Sequence, residues 1–180
     1  SLEKSAHKTP VSLFEEAVTA ANKAVFEESA SHVEYEGMGT TVVACTLEEN
    51  TLYIANIGDS RLYLIRDGIE QITDDHSLVE EMVKQGNITE SEARIHPQKN
   101  IITRALGINE EVQADFFEID VEQGDVIMLC SDGLSNMIED EDMEYIVKNS
   151  DTLQTAAESL VARANENGGN DNITVVLAEV

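Results

Sequence analysis

Three aspartates in this sequence stand at strand rims beside glycine or other small residues: Asp59 in "LYIANIGDSR", Asp132 in "DVIMLCSDGL" and Asp171 in "GGNDNITVVL". A rigid strand end fixes a carboxylate in space, and glycine lets backbone or solvent approach closely. Hard divalent cations take oxygen ligands, and Mg2+ or Mn2+ commonly uses one or two carboxylates plus water. Carboxylates converging at one sheet edge could hold two ions about 3.5–4 Å apart. Turn chemistry accounts for any one corner by itself, because Asp and Gly are favoured in turns. Three such corners on strands of one core favour the metal reading; whether they converge is a question for the structure.

Other chemistries find less support. No G-x-S-x-G nucleophile elbow and no P-loop is present. "TDDHS" (Asp74, Asp75, His76) precedes a helix and reads as N-terminal capping and dipole pairing. His96 reads as a loop residue, and His7 and His32 flank the first helix without suggesting a role. The two cysteines, Cys45 and Cys130, lie in apolar runs and read as buried free thiols rather than a disulfide or zinc site.

The elements that must position the aspartates follow from periodicity. Residues 10–31 form an amphipathic helix with Thr9-Pro10 at its start and Phe14, Ala17, Val18, Ala21 and Val25 on one face. "GMGTTVVACTL", "LYIANI" and "RLYLIRDG" read as an antiparallel meander. Ser77-x-x-Glu80 and Thr89-x-x-Glu92 match the capping box and open two short helices, followed by an exposed loop at "HPQKN". Further strands are expected at "NIITRAL", "VQADFFEID" and "DVIMLC". Helices over 140–148 and 152–165 come next, with Gly168 or Gly169 as a left-handed cap, and then a last strand. Strands and helices in blocks favour an α+β fold, antiparallel sheets covered by helices.

The chain has 180 residues and carries a net charge of −25 from 36 acidic and 11 basic residues. That balance argues against binding nucleic acid or an anionic membrane. It fits a solvated acidic surface, with a handful of carboxylates free to serve a cation site. No apolar run approaches the ~18–20 residues of a membrane span, and no signal peptide is evident. The expectation is a cytoplasmic monomer.

"GMGTT", "IGDSRLYLIRDG", "ITDDHSLVEEMVKQGNIT", "HPQKNIITRALG", "GDVIMLCSDGL" and "GGNDNITVVL", in this order, resemble the metal-dependent serine/threonine protein phosphatases of type 2C, most closely the bacterial single-domain members. The resemblance implies a four-layer sandwich of two antiparallel sheets flanked by helices. It implies hydrolysis of phosphoserine and phosphothreonine in proteins by water activated at a dinuclear Mn2+ or Mg2+ centre. By resemblance Asp132 and Asp171 are metal ligands, and Asp59 helps hold a third, weaker metal. Residues 76–100 correspond to a flap beside the site. Phosphoprotein substrates and an opposing Ser/Thr kinase are the implied partners. No substrate-binding residue is assigned.

The chain also departs from the family pattern. The family's phosphate-binding arginine, its R-x-x-N-x-D motif and the bridging aspartate of D-G-M-G-G are not found in it. "EGMGTT" matches a separate family strand, so Glu36 does not inherit the bridging role. Residues 1–180 are therefore expected to be the C-terminal three quarters of one phosphatase domain, lacking the N-terminal strands and inactive alone. Exposed sheet edges and mutual repulsion of Asp132 and Asp171 should follow. A non-catalytic binding or regulatory module on the same fold is the alternative, and an acidic cation-binding protein a third.

Overall fold

Alternation along the strands assigns each side chain to a layer. In the computed structural model, which describes residues 8–180 and so leaves His7 outside the described residues, Leu62 and Leu64 face one way and Tyr63 and Ile65 the other. Helix α1 (Pro10–Ser31) is followed by strands β1 (Val42–Glu48), β2 (Thr51–Ile57), β3 (Arg61–Ile65) and β4 (Ile69–Gln71). Helices α2 (Leu78–Lys84) and α3 (Glu90–Ile95) lead to β5 (Asp115–Asp120) and β6 (Val126–Cys130). Then come α4 (Asp132–Ser135), α5 (Asp140–Lys148), α6 (Leu153–Glu166) and β7 (Val175–Glu179).

The strands form two antiparallel sheets, ordered β1-β2-β5 and β4-β3-β6-β7. Between them pack Leu52 and Ile54 of β2 with Leu62, Leu64 and Ile127 of β3 and β6. The outer face of the four-stranded sheet, with Tyr63, Met128 and Cys130, packs on Leu134, Met143, Ala156 and Leu160 of the C-terminal helices. The outer face of the other sheet packs through Ile57 and Phe116 on Val18 and Val25 of α1. Period-2 strands with both faces apolar thus make two sheets and two helical layers. This is the expected α+β sandwich.

Helix α1 begins where Thr9 accepts a hydrogen bond from the Ser12 amide, with Pro10 in its first turn. Thr89 and Glu92 complete the reciprocal capping box at α3. Ser77 caps α2 from its own side, accepting from the Glu80 amide at 3.2 Å. Edge strands β1 and β7 leave Leu47 and Val176 about half exposed.

Three expectations change. The meander breaks after β2: β3 leaves for the other sheet across residues 58–60, because Gly58 takes a left-handed φ of 103° that turns the chain out of the first sheet. "NIITRAL" makes no strand. Its backbone is spent on single contacts, an isolated bridge of Ile102 to Ser77 and another of Leu106 to Thr40, which lace the loop to two different segments. "TDDHS" caps with Ser77 alone, since Asp74 pairs with Lys84 at 2.8 Å and Asp75 with Arg61 at 2.8 Å.

Candidate metal centre

All three aspartates of the sequence reading lie in chain turns at one end of the sandwich. Asp132 opens α4 immediately after β6, Asp171 lies between α6 and β7, and Asp59 occupies the crossing from β2 to β3. β6 and β7 are hydrogen-bonded neighbours, and β3 lies on the other side of β6.

The Asp132 and Asp171 corners are joined through the hydroxyl and amide of Ser131. The Ser131 hydroxyl donates to the Asn172 carbonyl at 2.9 Å and accepts from the Thr174 amide at 3.0 Å. The Ser131 amide donates to the Thr174 carbonyl at 3.1 Å. Gly133 is pressed so closely on the second corner that a Cβ there would stand 2.3 Å from the Asn172 oxygen. Glycine at this position is a matter of clearance.

Asp59 and Asp132 line one small cavity with Arg61, Asp75, Ser135 and Asn136. Its far wall comes from the segment expected as a flap, through Ser77, Glu80, Glu90, Ala93, Arg94 and Lys99. The volume is about 90 Å3. That holds a few waters or a hydrated cation, each water taking ~30 Å3 in the liquid, but no peptide, which needs several hundred.

The electrostatics separate these aspartates from their neighbours. Asp75 receives two-pronged hydrogen bonds from Arg61, Asp125 receives the same from Arg66, and Asp115 pairs with Arg104 at 2.6 Å. Asp59, Asp132 and Asp171 make no ion pair among the described residues. Burial, then the charge of Asp132, pushes the Asp59 carboxyl up to about 6. Burial, then the charge of Asp171, raises Asp132, although the Gly133 amide bonds it. Asn136 Nδ2 donates to Asp132 Oδ2 at 3.2 Å, and the Asn172 amide donates to Asp171 Oδ1 at 2.7 Å. Two half-buried carboxylates, Asp59 and Asp132, each raised by burial and a neighbouring aspartate, stand with the exposed Asp171 and without an ion pair among the described residues, a donor set suited to a hard divalent ion. They stand in a row, Asp59 to Asp132 to Asp171, rather than in a closed cage. No three His, Cys, Asp or Glu side chains gather closely enough to hold an ion among the described residues.

Comparison with known proteins assigns this architecture. The family model "Protein phosphatase 2C" matches residues 2–178. The chain belongs to the protein phosphatase 2C family. It is 43% identical over 163 residues to the serine/threonine phosphatase stp of Listeria monocytogenes, a match covering 90% of this chain and 65% of that protein. The chain thus spans about two thirds of the length of the curated relatives it matches. The crystal structure of the serine/threonine phosphatase Stp1 from Staphylococcus aureus superposes with a TM-score of 0.92 at 35% identity, over 95% of this chain and 68% of that one. The catalytic domain of the phosphatase PstP, solved in complex with two manganese ions, superposes with a TM-score of 0.86 at 35% identity, over 98% of this chain and 74% of that one.

Within this family fold, sequence reasoning passed over Ser131, the clasp between the two corners, and Arg61–Asp75, which shares the cavity. It also passed over Asn22, buried in α1, which accepts from the Gly107 amide and donates to the carbonyls of Asn109 and Glu110. An asparagine on the apolar side of an amphipathic helix was the available signal for the last.

Proposed function

We propose that this chain carries part of the metal site of a phosphoserine/phosphothreonine protein phosphatase. Asp132 and Asp171 would hold Mn2+ or Mg2+, and Asp59 would hold a further, weaker ion. The observation that carries the reading is the row of half-buried Asp59 and Asp132 with the exposed Asp171, without an ion pair among the described residues, at one end of a family fold, where Asp132 acts on Asp59 and Asp171 on Asp132 by charge. A bound divalent ion supplies Lewis acidity, which lowers the pKa of water and offsets charge on phosphoryl oxygens.

The chain's own residues do the rest. The Ser131 clasp and Gly133 fix the spacing of Asp132 and Asp171. Asn136 orients the Asp132 carboxylate. Arg61 is engaged by Asp75 and so is held from closing on Asp59. The acidic row repels a phosphate dianion until cations load, so turnover should depend strictly on added metal. The cavity is too small for a peptide, so a phosphoprotein would present its phosphate from outside. Residues 1–180 act as one domain, with 76–100 as the flap over that opening.

Hydrolysis of a phosphothreonine peptide by the full-length protein with Mn2+ is the test. Asp132→Ala and Asp171→Ala should each lower the rate by roughly 100-fold or more, beyond the 10–100-fold typical of residues that only orient ligands. Rates left unchanged would end the site assignment.

One observation favours a second reading for residues 1–180 taken alone: they gather no three-ligand group among the described residues. By themselves they would bind metal weakly and turn over no phosphopeptide, acting as a non-catalytic module. Manganese-dependent turnover by the 180-residue chain would eliminate that reading.

A further inference from the structure

His76 stands beneath the Asp59 corner. Its side chain is 6% exposed. The Gly58 amide donates to His76 Nδ1 at 3.0 Å, and the His76 amide donates to the Gly58 carbonyl at 2.9 Å. A backbone amide can only donate, so Nδ1 accepts and the ring proton sits on Nε2. Nε2–H then donates to Asp115 Oδ2 at 3.1 Å, while Asp115 Oδ1 accepts from Arg104. Burial would raise the Asp115 carboxyl, but Arg104 and His76 hold it below the usual carboxylate range. The His76–Asp115 contact is thus a hydrogen bond from a neutral ring, which orients the imidazole as a carboxylate orients a ligating histidine.

Gly58 is gripped on both of its polar groups by one residue, and its left-handed φ of 103° gives it no regular partner of its own. A side chain at Gly58 would meet Thr41 Cγ2 at 2.3 Å, so the turn is also confined from the opposite side. The next residue is Asp59. On its other flank, the His76 carbonyl accepts from the Thr103 amide at 2.8 Å. Ser77, which follows, caps α2, and the Leu78 amide donates to the Ile101 carbonyl at 2.9 Å. The His76 side chain thus ties the aspartate corner to β5 through Asp115, while the backbone of His76 and Leu78 ties the same residue to the far end of the segment that walls the cavity.

We propose that His76 is a positioning residue of the site: it locks the Gly58–Asp59 corner and couples its geometry to residues 76–103. The proposal rests on the metal reading of Asp59 given above.

Two substitutions split the bonds of the ring. In His76→Asn the amide oxygen takes the place of Nδ1 and keeps the Gly58 bond while losing Asp115. In His76→Gln the terminal amide takes the place of Nε2 and keeps Asp115 while losing Gly58. Each loses one hydrogen bond, so thermal midpoints should fall alike. Hydrogen exchange at the Gly58 amide should not: protection persists in His76→Asn and drops about tenfold in His76→Gln, the scale of one hydrogen bond. Calorimetric titration of the full-length protein with Mn2+ should show the same order. The binding step that Asp59→Asn removes should weaken about tenfold in His76→Gln and stay within about twofold in His76→Asn.

Equal exchange and equal Mn2+ affinity in the two variants would overturn the proposal. A wild-type protein that takes up no Mn2+ overturns the metal reading instead, and Gly58 exchange still decides whether His76 locks the corner. Should neither variant fold, 15N correlation spectra of the wild-type ring decide: a proton on Nε2 supports the lock and a proton on Nδ1 refutes it.

Discussion

Asp59 carries the largest electrostatic cost among the three corner aspartates, with burial and the charge of Asp132 pushing its carboxyl up to about 6, well above the usual carboxylate range. The folded state therefore binds the proton more tightly than the unfolded state does. Between pH ~4 and ~6 the native protein holds more protons, so stability falls as pH rises through that window and stays low above it. The full penalty is present at neutral pH whenever no cation is bound. Replacing Asp59 by Asn removes it. The metal-free Asp59→Asn protein should be more stable than wild type at pH 7 by roughly 1 kcal/mol, since solvent screens a half-buried group, and the two should converge near pH 4. Urea titrations at both pH values check this. A wild type as stable as the variant at pH 7 would mean that the corner is satisfied without metal. The residue thus trades native stability for charge at a place where no ion pair repays it among the described residues and its own backbone amide offsets only part of the cost.

At the scale of elements, the spacing of Asp132 and Asp171 is set by two turns in contact rather than by either strand. Gly133→Ala would drive a Cβ into the Asn172 carbonyl, which is backbone and cannot rotate away. The cost should be about 1–3 kcal/mol, typical of overpacking. It should come with a larger loss of Mn2+ affinity than that stability change alone predicts, read by thermal melts beside calorimetry. Neutral behaviour in both would remove the clearance argument. The glycine was visible in "SDG" and the aspartate in "GGNDN", but their contact was not, because it joins turns some forty positions apart. Helices α1, α5 and α6 were legible with their limits, since caps and a 3.6-residue apolar period are local signals. "NIITRAL" was misread for the complementary reason: its β-branched pair, Ile101 and Ile102, is partly exposed and its backbone serves two different partners. The crossing of β3 to the second sheet was hidden too, because alternation along a strand is the same whichever sheet it joins. His76 was read as part of a cap, since a buried imidazole and a capping one look alike in "TDDHS".

Over the whole molecule, a charge of −25 on 180 residues makes the compact state repel itself. At ~0.1 M salt, interactions beyond about 10 Å are screened, so NaCl should raise the melting temperature modestly through general screening. A site-bound ion adds a different contribution. At a hundredfold excess over its dissociation constant it contributes about 2.7 kcal/mol, or roughly 5–10 °C for a chain of this length. MnCl2 should therefore stabilise well beyond NaCl at matched ionic strength, by differential scanning calorimetry. Identical shifts would leave only screening and no site.

The three-residue crossing at Gly58–Ser60 has a mechanical consequence for the sandwich. From Ile57 to Arg61 the chain reaches at most about 14 Å, while packed sheets lie about 10 Å apart. There is little slack in that line, and His76 takes up part of what remains. The two sheets are moored to each other at the end that carries the aspartates. The hairpin turns at Glu49–Asn50 and Asp67–Gly68 close the strands at the opposite end. Any sliding of one sheet over the other becomes a swing about the moored end. The distances between Asp59, Asp132 and Asp171 sit near the pivot, where breathing of the sandwich moves atoms least.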